Sequence, residues 1–222
     1  MNEWYNRERD AERITDTKPL CGSLPTPSRD LGDFLDVANY LSDRKLDYSL
    51  TIANGWYPSR EAGDDYLRVV MPATSRDQHN KFWQARAVLS GVKPKYQSPH
   101  HVRRGDAIIL VWPYRYRDWG LSGCVVTEGP MDALAAASVG YLGAAMMGLM
   151  PNEEAIENLR RWVRHPLIVV PDSDQHGGAF VKTVWSRFPG AYLANPYPDK
   201  DLAEMPEIKR RHFLQAVVQD RG

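Results

Sequence analysis

The stretch CVVTEGPMDALAAASVG, residues 124–140, opens with a β-branched run and closes with an alanine-rich segment; between them stand Glu128, Gly129, Pro130 and Asp132. A short apolar β-branched run reads as a buried strand. The alanines behind the proline read as a helix begun at Pro130, where a missing N–H is harmless in the first turn. Glu128 is thereby set at the carboxyl end of a strand, and Gly129 is expected to let the chain turn sharply into the helix. Asp132 falls in the helix's first turn, where free amides and the helix dipole favour a carboxylate, and it reads as a residue that holds the turn in shape.

Working downstream, the alternation continues. YLGAAMM, PLIVVPD and AYLAN read as strands, and NEEAIENLRRWVR, AFVKTVWSRF and the region of IKRRHFLQAVVQ as helices. Strand and helix in turn predict a parallel sheet with helices on its faces. In open sheets of this kind ligands gather beyond the carboxyl ends of the strands. Asp172 and Asp174, in LIVVPDSDQHGG, stand at a second such end, and Asp199 and Asp201, in NPYPDKDLAEM, follow a third. Side chains alternate along extended backbone, so Asp172 and Asp174 can face the same way. Converging carboxylates repel and need a countercharge, and hard oxygen ligands suit Mg2+ or Mn2+ rather than zinc. His176 reads as an exposed turn residue, not a ligand.

Working upstream, KPLCGSLPTPSRD is rich in proline and predicts an extended arm. Phe34, Val37, Ala38 and Leu41 fall on one helical face, so DFLDVANYLSDRK predicts a helix. GWYPSREAGDD reads as a turn-rich insertion. YLRVVMPA and KFWQARAVLS read as an antiparallel strand pair, KPKYQSPHHVRRGD as basic and irregular, and DAIILVWPY as a strand before CVVTE. Trp83, Tyr96, Trp112, Tyr114 and Tyr116 interleave with the basic residues, an arrangement in which aromatic faces can stack unpaired bases; for Trp83 and Trp112 a place in the core is the stronger expectation.

The bulk numbers set limits. With 222 residues, 43% of them hydrophobic, the chain can build a sizeable core, and 28 acidic residues balance 28 basic ones, so overall charge draws it to neither nucleic acid nor membrane. Any polyanion contact must come from a local basic patch. Two cysteines, one in a buried strand, exclude a disulfide framework or cysteine-rich zinc site and fit a reduced, cytoplasmic compartment. The amino-terminal residues lack an apolar signal core, and no apolar run is long enough to span a bilayer, so no membrane partner is expected.

VVTEGPMDALAAASVG closely resembles the Glu-Gly-x-x-Asp motif of the toprim domain, and IVVPDSDQHGG resembles its Asp-x-Asp motif with a following glycine. Toprim domains are shared by DnaG-type bacterial and phage primases, type IA and II topoisomerases and some nucleases. The upstream half is similar to the primases. YLSDRKLDYSLTIANGWYPS looks like their tyrosine-leucine helix end, basic turn and Gly-Trp/Tyr stretch. LRVVMPA, FWQARAV and PKYQSP follow in the order of their Arg-containing strand, Phe-Gly-Gly-Arg-like strand and Lys-Tyr-x-x-Ser-Pro-like loop. PDKDLAEM is similar to their later acidic Lys-Asp motif.

The resemblance implies an α/β fold, a toprim domain with a mainly parallel sheet flanked by helices, preceded by a smaller α+β primase-type subdomain. The expected divisions are an arm at 1–32, the subdomain at 33–105, toprim at 106–205 and a terminal helix at 206–222. It implies Glu128 in acid–base or metal-linked catalysis and Asp172 and Asp174 as catalytic metal holders, with Asp201 completing the cluster around Mg2+ or Mn2+. Arg68, Arg86, Lys95, Tyr96, Arg104 and Lys200 would contact nucleotide or DNA, while Gly129, Asp132 and Gly177 would be structural. The expected partners are a single-stranded DNA template and ribonucleoside triphosphates. Neither the spacing of a zinc ribbon nor a P-loop is present, so template selection is expected from a separate zinc-ribbon protein or replicative helicase, as in a phage or mobile element working in a bacterial cytoplasm. Gln84 and Ala85 stand where the family has two glycines, and KYQSP is one residue shorter than the usual loop. Two other readings use the same features: a toprim nuclease, in which activated water replaces the 3′-hydroxyl, and a nucleic-acid-binding accessory subunit without catalysis.

Overall fold

The computed structural model describes residues 24–62, 65–73, 82–99, 107–114, 120–147, 151–163, 165–172, 177–195 and 201–219. Two sheets organise the chain. The first is antiparallel, in the order β1-β2-β3-β4: β1 (Tyr57–Ser59), β2 (Arg68–Pro72), β3 (Trp83–Ala87) and β4 (Tyr96–Gln97). It is preceded by α1 (Leu31–Asp43) and α2 (Tyr48–Ala53). The predicted β2–β3 pair is present, with Val69 opposite Arg86. Strand β1 falls in the stretch expected to be turns, and β4 in the stretch expected to be irregular. Both are short outer strands, with a proline inside β1 and prolines two residues to either side of β4, which weakens any local signal for a strand.

The second sheet has the order β5-β7-β6-β8-β9, with β5 (Ile109–Val111), β6 (Cys124–Thr127), β7 (Leu142–Ala145), β8 (Leu167–Val170) and β9 (Tyr192–Leu193). All its pairings are parallel except β5 with β7. Helices α3 (Pro130–Ala137), α4 (Glu153–Trp162), α5 (Gly177–Trp185) and α6 (Glu207–Gln219) follow strands β6, β7, β8 and β9 in turn. The expected mainly parallel α/β sheet is therefore found, with one antiparallel edge.

Alternation along the strands divides the interior. Cys124, Val126, Val169 and Leu142 pack with Ile156 of α4 and Phe180 of α5. Val125, Ile168, Val170 and Ala145 face the other way, onto α3 and Leu214 of α6 and into one continuous core with Val37, Leu41, Val69, Met71 and Trp56. The first sheet and its helices thus share a core with one face of the second. Asn54, at the end of α2, reinforces the junction: its side chain accepts from the Trp112 N–H at 2.7 Å and donates to the Trp112 carbonyl at 3.0 Å. Trp112 also meets Trp162 edge-on, its ring centroid 5.8 Å away, and Trp83 is buried with Val70 and Ala85, so both are packing aromatics as expected.

Helix starts follow the sequence chemistry. Asp30, Asp47 and Asn152 each accept a backbone N–H of the first turn of α1, α2 and α4. The Asp30 cap starts α1 two residues before the predicted Asp33, which is buried and paired with Arg60. Helix α3 sits so close to β7 that a Cβ at Gly143 would lie 2.1 Å from the Ala133 carbonyl oxygen.

Candidate active site

The site is laid out by strand register. Thr127, the last residue of β6, pairs with Val170, the last of β8, so the chain leaves both strands at the same level. Glu128 follows directly on one side and Asp172 stands two residues on at the other. The Asp172 N–H donates to Glu128 Oε1 at 3.2 Å, which fixes the Glu128 carboxylate against the neighbouring strand end. Thr127 is wholly buried, and its hydroxyl donates to the Gly129 carbonyl at 2.9 Å, bracing the turn.

Gly129 corrects the expectation of a sharp turn. Its φ of −113° and ψ of 153° are ordinary extended geometry, and an added Cβ would meet only Asp132 Oδ2, at 3.8 Å. The direction change comes from Pro130 entering the helix, not from a conformation reserved for glycine.

Asp132 does more than face the helix dipole. It is buried, and Oδ1 accepts the Ala203 N–H at 2.8 Å, fastening α3 to the 3-10 turn Leu202–Glu204 whose N-cap is Asp201. Burial, opposed by that bond and reinforced by the charge of Asp201, pushes its carboxyl up to about 6; Arg44 and Arg86 pull the other way. Asp132, Asp201, Arg44 and Arg86 are thus within electrostatic reach of one another.

The cations come from the first sheet and α1. Arg86, 6% exposed, extends from β3 and donates through Nε to the Tyr40 hydroxyl and through Nη1 to the Tyr96 hydroxyl. Its guanidinium carbon lies 5.0 Å from the Tyr96 ring centroid and 5.9 Å from that of Tyr40, positions in which the ring faces attract a cation. Burial pushes the Tyr96 hydroxyl up to about 12 despite the opposing pull of Arg86, so it remains protonated at neutral pH. Lys95 is exposed, one residue before Tyr96. Partial desolvation and the charges of Arg86 and Arg44 lower its pKa, while Asp201 and Asp172 oppose them, which places Lys95 between the basic and acidic halves of the site.

Sequence reasoning gave Arg44 no role. It caps α1, its guanidinium carbon 5.9 Å from the Tyr40 ring centroid, and Nε is buried with no hydrogen-bond partner. The signal was there, a basic turn closing an apolar helix, but only the fold sets it beside Arg86, with both guanidiniums against the Tyr40 ring. Arg68 is placed otherwise than expected: it is 0% exposed and donates to the Pro94 carbonyl at 3.1 Å, behind the residue that precedes Lys95. Gly177 opens α5. Asp174, Lys200, Arg104, Asp199 and His176 lie outside the described residues, as does Tyr116.

The donors at the strand ends are carboxylates, the hard oxygens that Mg2+ or Mn2+ prefer. Among the described residues no three of the side chains His, Cys, Asp and Glu are already gathered as a metal cage. Glu128 and Asp172 are adjacent, and Asp201 faces the same region through Lys95 and Asp132. The residues present fit such an ion in kind.

Comparison with known proteins agrees with this fold. Residues 125–205 match the family model described as Toprim-like. A DNA primase domain from Pseudomonas aeruginosa is similar in structure, 20% identical with a TM-score of 0.63, the match covering 97% of this chain and 78% of that one. The primase fragment of the bacteriophage T7 primase-helicase protein is 17% identical with a TM-score of 0.59, over 95% of this chain and 85% of that one. A DnaG primase catalytic domain solved bound to ssDNA is 16% identical with a TM-score of 0.58, over 83% of this chain and 71% of that one. No curated protein matches the chain by sequence. The chain carries a toprim-like α/β domain joined to an antiparallel sheet that supplies cations to its acidic edge. Its fold is that of the DnaG-type primase catalytic core. Among the described residues no helix is long and apolar enough to cross a membrane.

Proposed function

We propose that this chain is a primase catalytic core that joins ribonucleotides on a single-stranded DNA template. One observation supports this above others: Glu128 and Asp172 meet at the edge of one sheet, opposite Arg44, Arg86 and Lys95 gathered from α1 and the other sheet. In nucleotidyl transfer a 3′-hydroxyl attacks an α-phosphate and pyrophosphate leaves. The site must hold a triphosphate, balance its growing charge and orient the hydroxyl.

Arg86 is already fixed by two phenols, so its guanidinium binds phosphate with little ordering left to do. Arg44 offers a buried donor still without a partner, and Lys95 a mobile point charge. Tyr96 and Tyr40 act by holding Arg86. Arg68 supports the loop that presents Lys95 and does not itself touch the nucleotide. Glu128 and Asp172, with Asp174 and Asp201, would hold Mg2+ or Mn2+, which when bound would lower the pKa of the attacking hydroxyl and neutralise the departing pyrophosphate. Arg104 and Lys200 would extend the basic surface along the template. The divisions near residues 33, 106 and 206 would separate cation supply, chemistry and a terminal brace. A zinc-ribbon protein or a replicative helicase would supply the start site, in the cytoplasm of a bacterium or of a phage-infected cell.

The test is incubation of the purified chain with single-stranded DNA, labelled ribonucleotides and Mn2+, with and without a zinc-ribbon partner, read on a sequencing gel. Ladders of short RNA are expected, lost in Glu128→Gln. Undiminished synthesis by Glu128→Gln or Asp172→Ala would overturn the assigned site. Shortened DNA in place of new RNA would replace the reading with phosphodiester hydrolysis, and strand binding with neither product would replace it with an accessory role.

A further inference from the structure

Arg210 is among the largest fully buried side chains of the described residues, 0% exposed, yet it lies on α6, outside every motif of the site. Its donors all go to named acceptors on three other elements. Nε donates to the Leu202 carbonyl at 3.1 Å, and Nη2 to the Ala203 carbonyl at 3.1 Å and the Arg44 carbonyl at 3.2 Å. Nη1 donates to the Ser138 hydroxyl at 3.2 Å, at the C-terminal end of α3. One planar fork thus joins the turn behind Asp201, the end of α1 that carries Arg44, and the helix that begins beside Glu128.

Stability alone does not call for an arginine here. Taking a guanidinium out of water is costly, and apolar residues of similar volume often replace buried charges without loss. What the fork adds is geometry, since its donors are fixed in one plane at set angles, which an ammonium cannot match. The peptide unit between Leu202 and Ala203 is held from both sides: its N–H by Asp132 and its carbonyl by Arg210. Arg210 remains charged at neutral pH, its pKa lowered to about 10 by burial while Glu207 and Asp132 oppose the shift.

We infer that Arg210 is a positioning residue that sets the distance between Asp201, on the metal side of the site, and Arg44, on the phosphate side. This rests on the functional reading above, and it assigns to α6 a part in that site which its sequence does not announce. The two halves of the site share one anchor, so loosening it should weaken metal and nucleotide binding together.

The test is titration of Mn2+ into the purified chain, with and without ATP, followed by electron paramagnetic resonance of the free ion. Arg210→Lys keeps the charge but not the fork. It is expected to stay folded by circular dichroism, to raise the Mn2+ dissociation constant on the order of 10-fold, and to weaken the uptake of ATP alongside it. Arg211→Ala, which removes only an exposed pairing with Glu207 on the same helix, should bind both like wild type. Arg210→Lys binding Mn2+ and ATP as wild type does would overturn the inference, as would Arg211→Ala weakening them equally. Should Arg210→Lys fail to fold, Ser138→Ala, which removes one acceptor of the fork, decides by the same titration: a two- to three-fold weakening, roughly the loss of a single hydrogen bond, supports the role and no change overturns it. Primer synthesis by the wild type is measured in parallel. Its absence sinks the functional reading, while the titration of the variants judges Arg210 either way; a wild type that takes up no Mn2+ overturns both.

Discussion

Asp132 shows how burial and charge compete within one side chain. Its carboxyl is held near 6 by burial, above the usual 3.8, so the folded protein binds a proton that the unfolded chain releases between those values. Its stabilising contribution is therefore complete below about pH 4 and lost as pH rises through 6. Asp132→Asn keeps an acceptor for the Ala203 N–H without the charge. In EDTA, the stability of the variant relative to wild type should rise by about 2–3 kcal/mol between pH 4 and pH 7, read as thermal or denaturant midpoints. A difference that does not change with pH would rule out the buried, protonatable state. Arg86→Lys tests the opposite side of the site. It leaves the Tyr40 and Tyr96 hydroxyls without their guanidinium donor and removes the planar fork, and the KM for ribonucleotides should rise about 10-fold, near 1.4 kcal/mol, with the fold retained. An unchanged KM would show that Arg86 serves packing alone. At this scale the sequence was most readable where a carboxylate follows a strand end: Glu128 and Asp172, which the structure brings together, stand out because a carboxylate after an apolar run is conspicuous. Arg44 and Arg210 were not, because a basic residue on a helix looks the same whether it faces water or three carbonyls.

Elements were legible in proportion to the length and period of their patterns. Strands β6 and β8 and helices α3 to α6 stand in the sequence as apolar runs and amphipathic stretches, and they hold the acidic half of the site. Strands β1 and β4 are two or three residues long and draw their order from pairing with neighbours, so no local pattern marks them. Yet β4 carries Tyr96 and adjoins Lys95, so part of the cationic half of the site rests on one of the shortest elements. The contact of α3 with β7 offers a direct measure of how tightly the acidic half is assembled. Gly143 has no room for a methyl group, because the Ala133 backbone fills the space at 2.1 Å. Gly143→Ala should therefore force α3 outward and destabilise the protein by about 3 kcal/mol, the upper part of the usual range for overpacking. Gly129→Ala, whose Cβ meets nothing closer than 3.8 Å, should melt close to wild type. Equal losses in the two variants would mean that glycine's flexibility, and not the closeness of helix to strand, governs both positions.

At the scale of the whole molecule, one core joins the two sheets. The composition changes near residue 106, from short antiparallel strands to alternating strands and helices, and a reader of the sequence places a boundary there. Packing crosses it: Val37, Leu41, Val69 and Met71 lie in the same core as Ile109, Val125, Met131 and Ala145. The cation cluster and the acidic edge face each other because this core holds the sheets together, aided by the Asn54 bonds to Trp112 and the Arg210 bond to the Arg44 carbonyl. A shared core predicts shared unfolding. Denaturant melts followed by far-ultraviolet circular dichroism and by tryptophan fluorescence should give one coincident transition, since Trp56 reports on one side of the junction and Trp112 on the other. A fragment of residues 107–222 should lack that transition and bind hydrophobic dyes, because removing the first sheet bares Ile109, Val111, Met131 and Ala145 on one face. Two separated transitions in the full chain, or a cooperative melt of the fragment, would instead mean that the sheets fold independently and that the site forms only when they dock.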